Sequence, residues 1–218
     1  MTAERPRALL FDWDNTLVDT WAAIHHAFET TFRAMGERPW TLEETRARVR
    51  ASARDTFPGL FGGRAEEATE IFYRTFEADH LDKLRERDGA GALIEALAES
   101  GAYYLAVVSN KQGRLLRAEA AHLGWDRFFD RLVGANDAAR DKPALEAVAC
   151  ALQGSGIAPG PSVWFVGDTD IDMLCAVNAG CRPVLVRQEP PGAGEFPDSR
   201  PALHLPDCRA LLRTLQGL

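Results

Sequence analysis

Cysteine is scarce in this 218-residue chain, and long apolar stretches are absent. Cys150, Cys175, Cys181 and Cys208 show no C-x-x-C spacing, and so few cysteines fit buried thiols better than a disulfide framework. No stretch approaches the eighteen or so apolar residues of a membrane span, and the run after the mixed-charge segment 1–7 is far too short for a signal peptide. We therefore expect a cytoplasmic protein with no membrane partner.

Positive charge is also in short supply, since the net charge is −7. A phosphate backbone would be repelled, so we expect no nucleic-acid partner, and an anionic substrate must be captured by a local group of cations. Hydrophobic residues make up 46% and charged residues 26%, which is typical of globular proteins and excludes a disordered or fibrous class. The length suits one large domain, or a main domain of about 150 residues with a smaller insertion.

Short apolar runs alternate with helix-period segments over much of the chain, which is typical of a parallel sheet wrapped by helices. The predicted strands are 8–11, 104–108, 132–134, 163–166 and 183–186, and the predicted helices include 113–122, 143–152, 170–179 and 207–215. Gly101, Gly124 and Gly180 stand where helix ends are expected. The Pro/Gly-rich segment 188–201 is predicted to be a surface loop. The sequence thus predicts an α/β fold with a Rossmann-like parallel sheet.

The stretch from residue 20 to residue 88 breaks this rhythm, because it contains three helical segments and no predicted strand. Thr41 and Glu44 form a capping-box pattern that begins the middle helix, and Gly36 ends the helix before it. Residues 57–63 contain proline and three glycines and are predicted to be a loop between the second and third helices. We expect a helical cap domain at 20–88, inserted into an α/β core made of 1–19 and 89–218.

Two carboxylates follow the first predicted strand, Asp12 and Asp14. Strand alternation points both to the same side at the strand tip, where one carboxylate can attack phosphorus and the other can transfer a proton. The alternative is an acidic turn with no chemistry. Trp13 between them is expected to pack or to shape the entrance.

Other polar motifs also follow predicted strands, where open α/β sheets bind their ligands. Ser109 and Asn110 offer a hydroxyl and backbone N–H groups suited to phosphate oxygens, although Ser109 could instead be a simple helix N-cap. Lys142 precedes a predicted helix, where a cation is unfavourable unless an anion lies nearby; the alternative is a solvated lysine.

Three aspartates, Asp168, Asp170 and Asp172, cluster after the fourth strand. One of them could be only a helix cap, and Asp170 stays open between a cap and a supporting role. Together with Asp12 and Asp14 they predict an oxygen-rich site of the kind that Mg²⁺ prefers.

These motifs, in this order and spacing, resemble the four motifs of the haloacid dehalogenase-like superfamily. They are Asp12-x-Asp14-x-Thr16, Ser109, Lys142 and Gly167-Asp168-x-x-x-Asp172. The inserted helices resemble the C1 cap of the subgroup that contains phosphoglycolate phosphatases and β-phosphoglucomutases. Asn15 departs from the glycine often found in that subgroup, and we expect little effect because asparagine tolerates unusual backbone geometry.

The resemblance implies a role for each motif. Asp12 would be the nucleophile that forms an aspartyl-phosphate, and Asp14 would be the general acid and base. Ser109, Asn110 and Lys142 would bind the transferring phosphoryl group. Mg²⁺ would be held by the side chains of Asp12 and Asp168 and the backbone carbonyl of Asp14. Asp172 would orient Lys142, and Thr16 would fix the turn.

The expected function is therefore Mg²⁺-dependent hydrolysis of small phosphate monoesters, such as phosphoglycolate-like metabolites, by a monomer or homodimer. A phosphosugar mutase of the β-phosphoglucomutase type and a catalytically silent interaction protein are the alternatives. A dehalogenase is disfavoured because it would not need Asp14.

Substrate choice is expected to come from the cap. Four arginines lie within residues 46–54, and guanidinium groups suit a carboxylate or a second phosphate. Arg54 and Arg50 are the candidates for substrate contact, and the alternative is an ordinary solvated helix face.

Overall fold

A computed structural model describes residues 5–49 and 53–218. The chain forms two compact units. One runs from the amino terminus through Val18 and continues from Glu86 to Leu218, and the other is Asp19–Arg85. The predicted cap, residues 20–88, covers nearly the same stretch as this second unit.

The first unit is built on a six-stranded parallel sheet with the strand order β5-β4-β1-β6-β7-β8. These strands are β1 (Ala8–Phe11), β4 (Tyr104–Gln112), β5 (Arg131–Ala135), β6 (Val163–Gly167), β7 (Arg182–Val186) and β8 (Leu203–Leu205). A two-stranded sheet pairs β2 (Val18–Asp19) with β3 (Arg85–Glu86). β1 lies inside the main sheet and all four of its residues are buried. The predicted α/β fold with a parallel sheet is confirmed.

Five predicted strands are present, with small changes in length. β4 runs four residues past its predicted end, although its pairing with β5 becomes irregular between Val108 and Gln112. The sequence missed β8, whose three residues are only half-buried and therefore lack the apolar signal of the inner strands. It also missed β3, whose two exposed residues are both charged.

The helices of this unit are α5 (Ala90–Ser100), α6 (Gly113–His122), α7 (Leu145–Leu152), α8 (Asp170–Asn178) and α9 (Cys208–Gln216). α7 begins two residues later than predicted, because Ala144 is its extended N-cap residue. Buried residues of α7 and α8 share one apolar cluster with β1 and β6, including Val148, Cys175, Leu10 and Phe165. All four cysteines are free; Cys175, Cys181 and Cys208 are buried and Cys150 is half-buried.

The second unit is helical and consists of α1 (Trp21–Met35), α2 (Leu42–Arg48), α3 (Ala53–Phe61), a short 3-10 turn (Gly62–Arg64) and α4 (Ala65–Lys83). Gly36 ends α1 in the left-handed conformation with φ 77°, as predicted. The predicted capping box is also confirmed: Glu44 donates its backbone N–H to the Thr41 hydroxyl, and the Glu44 carboxylate accepts the Thr41 N–H.

The loop predicted at 57–63 is wrong, because α3 continues through Pro58 to Phe61. Phe57 is fully buried. Its ring makes edge contacts with Phe28, Phe61 and Phe72 at centroid distances of 5.6, 5.3 and 5.4 Å. Packing of this aromatic cluster outweighs the helix-breaking tendency of the proline and glycine.

Candidate active site

Parallel strands bring the predicted motifs to one edge of the sheet. Phe11 at the end of β1 pairs with Val107 of β4 on one side and with Val166 of β6 on the other. Asp12 therefore lies between the segments that carry Ser109 and Asp168, and its backbone N–H donates to the Val166 carbonyl at 2.8 Å. The strand register therefore brings Asp12, Ser109 and Asp168 to one site although they are distant in sequence.

Lys142 is buried and bridges two carboxylates. Its Nζ donates to Asp12 Oδ1 at 2.5 Å and to Asp172 Oδ1 at 2.7 Å. Burial by itself would lower the pKa of Lys142, but these carboxylates raise it above its ordinary value. The alternative of a solvated lysine is excluded, because only 4% of the side chain is exposed.

Asp12, Asp168 and Asp172 form an acidic cluster, with one carboxylate oxygen of each within 4.8 Å of the others. The buried Thr16 hydroxyl lies 3.3 Å from both Asp12 Oδ2 and Asp168 Oδ1 and can donate to one at a time. Burial raises the pKa of Asp12 to about 7, helped by Asp172 and Asp14 and opposed by Lys142. Burial, together with the negative charges of Asp172 and Asp12, also raises the pKa of Asp168, and Lys142 opposes the rise. A divalent cation would relieve this crowding of negative charge.

Both carboxylate oxygens of Asp172 accept hydrogen bonds. It lies in the first turn of α8, where Oδ2 accepts the backbone N–H of Thr169 at 3.0 Å and its hydroxyl at 2.8 Å, leaving Oδ1 for Lys142. Gly167 permits this approach, because a Cβ there would lie 2.3 Å from Asp172 Cβ. Asp170 is the first residue of α8 and is exposed, and the N-cap residue of this helix is Thr169.

The turn after Asp14 contains a left-handed residue and is closed by backbone hydrogen bonds. Asn15 has φ 65°, a left-handed conformation that asparagine tolerates better than most residues, as the sequence predicted. Its N–H donates to the Val18 carbonyl at 2.6 Å, and Leu17 donates to the Trp13 carbonyl at 3.0 Å. The turn carries Thr16 back toward the carboxylates.

A second buried lysine, absent from the predicted site, pairs with Asp14. Lys111 Nζ lies 2.7 Å from Asp14 Oδ1 and also donates to both carboxylate oxygens of Glu119, at 2.8 and 2.6 Å. Trp13 Nε1 donates to Glu119 Oε2 at 2.7 Å. A sequence signal for Glu119 did exist, since it lies among buried apolar residues on one face of α6.

Ser109 and Asn110 lie in the last part of β4 rather than at the start of a helix. The reading of Ser109 as an N-cap is wrong, because Gln112 is the N-cap residue of α6. The buried Ser109 hydroxyl accepts the Lys111 N–H at 3.1 Å. Asn110 Nδ2 donates to the Lys142 carbonyl at 3.2 Å, which ties the segment that carries Lys142 to β4.

The arginine candidates of the second unit cannot be placed. Arg50 lies outside the described residues, and Arg54 falls on the backbone of α3 with its side chain outside the description. Two neighbours are described: Arg46 packs over the Trp21 ring at 5.8 Å, and Arg48 packs over the Trp40 ring at 5.1 Å.

Comparison with known proteins gives consistent matches. The sequence profile of haloacid dehalogenase-like hydrolases matches residues 9–186. A pyrophosphatase PpaX of Listeria monocytogenes serotype 4b is 31% identical over 173 residues, 78% of each chain. A phosphoglycolate phosphatase of Rhodobacter capsulatus is 29% identical over 181 residues, covering 79% of this chain and 80% of that one. A solved HAD-superfamily hydrolase from Ehrlichia chaffeensis is 29% identical with a TM-score of 0.68, over 99% of this chain and 98% of the other.

Within the described residues, no helix is both long enough and apolar enough to cross a membrane.

Proposed function

This chain belongs to the haloacid dehalogenase-like hydrolase family and is a phosphatase, and we propose that it cleaves small phosphate monoesters through an aspartyl-phosphate on Asp12. The observation that carries the proposal is the bridge from Lys142 to Asp12 at 2.5 Å, beside the carboxylate of Asp168. It sets a nucleophile, a cation and a cluster of hard oxygen ligands at one sheet edge.

Asp12 is the proposed nucleophile. One of its carboxylate oxygens would form a bond to phosphorus while the bond from phosphorus to the leaving oxygen breaks. An anionic carboxylate near 3 Å from an anionic phosphate meets a repulsion of about 5 kcal/mol per pair of unit charges at an effective dielectric of 20. Lys142 reduces that repulsion, and Ser109 with the backbone N–H groups near Asn110 would bind the other phosphoryl oxygens.

Asp14 is the proposed acid and base. As the bond to the leaving oxygen breaks, the Asp14 carboxylic acid would give that oxygen its proton. Asp14 would then take a proton from the water that attacks phosphorus, releasing phosphate and restoring the Asp12 carboxylate. Its side chain is 21% exposed, in contrast to 7% for Asp12, which suits a group that must meet both leaving group and water.

The residues present fit Mg²⁺. All candidate donors are oxygens, which hard divalent cations prefer, and Asp172 already has partners for both of its oxygens. Asp12 and Asp168 side chains with the Asp14 carbonyl would therefore hold the ion. When bound, Mg²⁺ supplies positive charge that stabilises the negative charge of the transferring group.

A small phosphorylated metabolite such as 2-phosphoglycolate is the proposed substrate, supported by the relative named phosphoglycolate phosphatase. Inorganic pyrophosphate is the second candidate, supported by the relative named pyrophosphatase at 31% identity. A phosphosugar mutase would use the same groups but return the phosphoryl group to sugar instead of water.

A panel assay tests these proposals. Purified protein with Mg²⁺ is given 2-phosphoglycolate, pyrophosphate, p-nitrophenyl phosphate and β-glucose 1-phosphate, and both released phosphate and sugar isomers are measured. We expect phosphate release that disappears with EDTA and returns with Mg²⁺. Activity that survives EDTA would overturn the metal proposal, conversion of the sugar phosphate to its isomer would establish the mutase, and no turnover of any compound would reject the monoester proposal.

A further inference from the structure

We propose that Lys111 and Glu119 are positioning residues that hold the Asp14 side chain in the orientation needed for proton transfer. The inference rests on the proposed function of Asp14. It starts from a continuous chain of contacts, from the Trp13 indole to Glu119, from Glu119 to Lys111, and from Lys111 to Asp14.

The number of N–H donors on the Lys111 ammonium matches the number of carboxylate oxygens around it. An ammonium has three N–H bonds, and Lys111 has three carboxylate oxygens within hydrogen-bond distance: 2.8 and 2.6 Å to Glu119 and 2.7 Å to Asp14. Two bonds to one rigid carboxylate leave the third directed at Asp14. Lys111 is therefore committed to these acceptors, and it is distinct from Lys142, which faces the nucleophile.

Burial makes this arrangement rigid. Glu119 is fully buried and the Lys111 side chain is 4% exposed, so neither can exchange its partner for bulk water. Breaking the contact of Lys111 with Glu119 would leave a charge buried without its partner, which is strongly unfavourable. The contact with Lys111 restricts rotation of the partly exposed Asp14 side chain.

The backbone segments that carry Lys111 and Trp13 are also closely packed. A Cβ on Gly134 would lie 2.6 Å from the Lys111 carbonyl oxygen, so β5 fits closely against the end of β4. Trp13 contributes its N–H to Glu119 while its ring packs edge-on against Trp125 with centroids 5.8 Å apart. Since Trp13 lies between Asp12 and Asp14 in sequence, the network anchors the segment that carries both.

Two substrates with different leaving groups can distinguish a role in positioning Asp14 from general structural support. Departure of an alkoxide, as from 2-phosphoglycolate, needs the proton that Asp14 supplies, whereas departure of p-nitrophenolate needs little help. The ratio kcat/KM reports the steps up to departure of the leaving group. A misdirected Asp14 should therefore lower kcat/KM for the alkyl ester more than for the aryl ester.

The experiment compares Glu119→Gln with wild type on 2-phosphoglycolate and p-nitrophenyl phosphate with Mg²⁺. We expect kcat/KM to fall roughly tenfold to a hundredfold for the alkyl ester and by less than about threefold for the aryl ester. With the aryl ester we also expect a burst of p-nitrophenolate, because hydrolysis of the phosphoenzyme needs Asp14 as base. Glu99→Gln, an exposed change of the same charge on α5, is the control and should alter neither value.

A double variant, Lys111→Met/Glu119→Met, separates stability from positioning. Replacing both charges by apolar groups of similar size should lower thermal stability less than Lys111→Met alone, because no charge is left buried alone and only the neutral Trp13 N–H loses its acceptor. The selective loss on the alkyl ester should persist. Trp13→Phe keeps an aromatic ring but removes the N–H donor. This variant should show the same selectivity, with a smaller loss of kcat/KM for the alkyl ester.

Two results would overturn the inference: an equal loss for both esters in Glu119→Gln, or full recovery of alkyl-ester activity in the double variant. Failure of the proposed function looks different, since wild type itself would then turn over neither ester.

Discussion

Two buried lysines in this protein each join two carboxylates, yet their surroundings differ. Lys142 bridges Asp12 and Asp172 next to the carboxylate of Asp168. Lys111 bridges Asp14 and Glu119, and its further neighbour is the Trp13 indole. The first cluster therefore combines three carboxylates with one ammonium, and in the second a neutral donor, the Trp13 N–H, adds to the contacts of Glu119.

These different surroundings suit two neighbouring aspartates to different tasks. Asp12 has a pKa raised by burial to about 7 and lies within the acidic cluster, as suits a proposed nucleophile and metal ligand. Asp14, two residues later, has a side chain that is 21% exposed, and it pairs with a different lysine, Lys111. Changes in the two clusters should therefore produce different kinetic patterns.

The largest expected effect comes from Asp12→Asn. The amide cannot form the acyl phosphate, so we expect turnover to fall by at least about 10³-fold for every substrate, whatever its leaving group. The fold should persist, because the change removes one negative charge from a crowded site. Circular dichroism and phosphate release measure the two outcomes. Activity close to wild type in a folded variant would remove Asp12 from the nucleophile role.

Next in size is Lys142→Met, compared with the double variant of the Lys111 cluster. Losing the ammonium leaves Asp12 and Asp172 buried without their cation, so we expect kcat/KM to fall about 10²-fold to 10³-fold, equally for alkyl and aryl esters. Urea unfolding should show a loss of about 3–5 kcal/mol in the free energy of unfolding. A strong preference for one leaving group in Lys142→Met would erase the distinction between the two clusters.

A smaller effect is expected from Gly167→Ala. The added methyl group would lie 2.3 Å from Asp172 Cβ and Cγ, so Asp172 must move and Lys142 must follow it. We expect activity to fall roughly tenfold and stability to fall by about 1–3 kcal/mol. Gly59→Ala is the matched control, because no atom lies within 4 Å of its added Cβ. Wild-type kinetics in Gly167→Ala would show that the position of Asp172 does not matter.

The smallest predicted effect is the pH dependence of Mg²⁺ affinity. In the metal-free protein the pKa of Asp12 is raised to about 7, so below that pH this carboxyl is largely protonated and must lose its proton to bind the ion. Affinity should therefore fall as the pH drops from 8 to 6, by up to about tenfold per pH unit below 7. Calorimetry in two buffers of different ionisation enthalpy should detect proton release. Affinity that rises toward acid pH would have the wrong sign.

The first cluster was predictable from the sequence because Asp12 and Asp168 each directly follow an apolar strand, while Lys142 and Asp172 belong to motifs recognised by their order and spacing. A parallel sheet was predicted, and parallel strands bring Asp12 and Asp168 together at one edge. Asn15 was expected to have little effect in place of glycine, and its left-handed φ of 65° is a conformation that asparagine tolerates. Sequence patterns were enough to place a site residue wherever its position depends only on the end of one strand.

The second cluster could not be assembled in this way. Lys111 and Glu119 are eight residues apart, on a strand and a helix. The helix was predicted correctly at 113–122, but the strand was predicted to end at Val108, so Lys111 fell outside any predicted element and no direction could be assigned to its side chain. The helix through Pro58 was missed for a related reason, because the packing of Phe57 against distant aromatic rings outweighs the local signal.

Chemical trapping of the phosphoenzyme tests the central claim most directly. Wild type and Glu119→Gln are mixed with p-nitrophenyl phosphate and Mg²⁺, quenched in acid during the first turnover, reduced with borohydride and digested for mass spectrometry. We predict conversion of residue 12 to homoserine, more abundant in Glu119→Gln because its phosphoenzyme hydrolyses more slowly. Modification at another residue, or none during active turnover, would contradict an aspartyl-phosphate on Asp12.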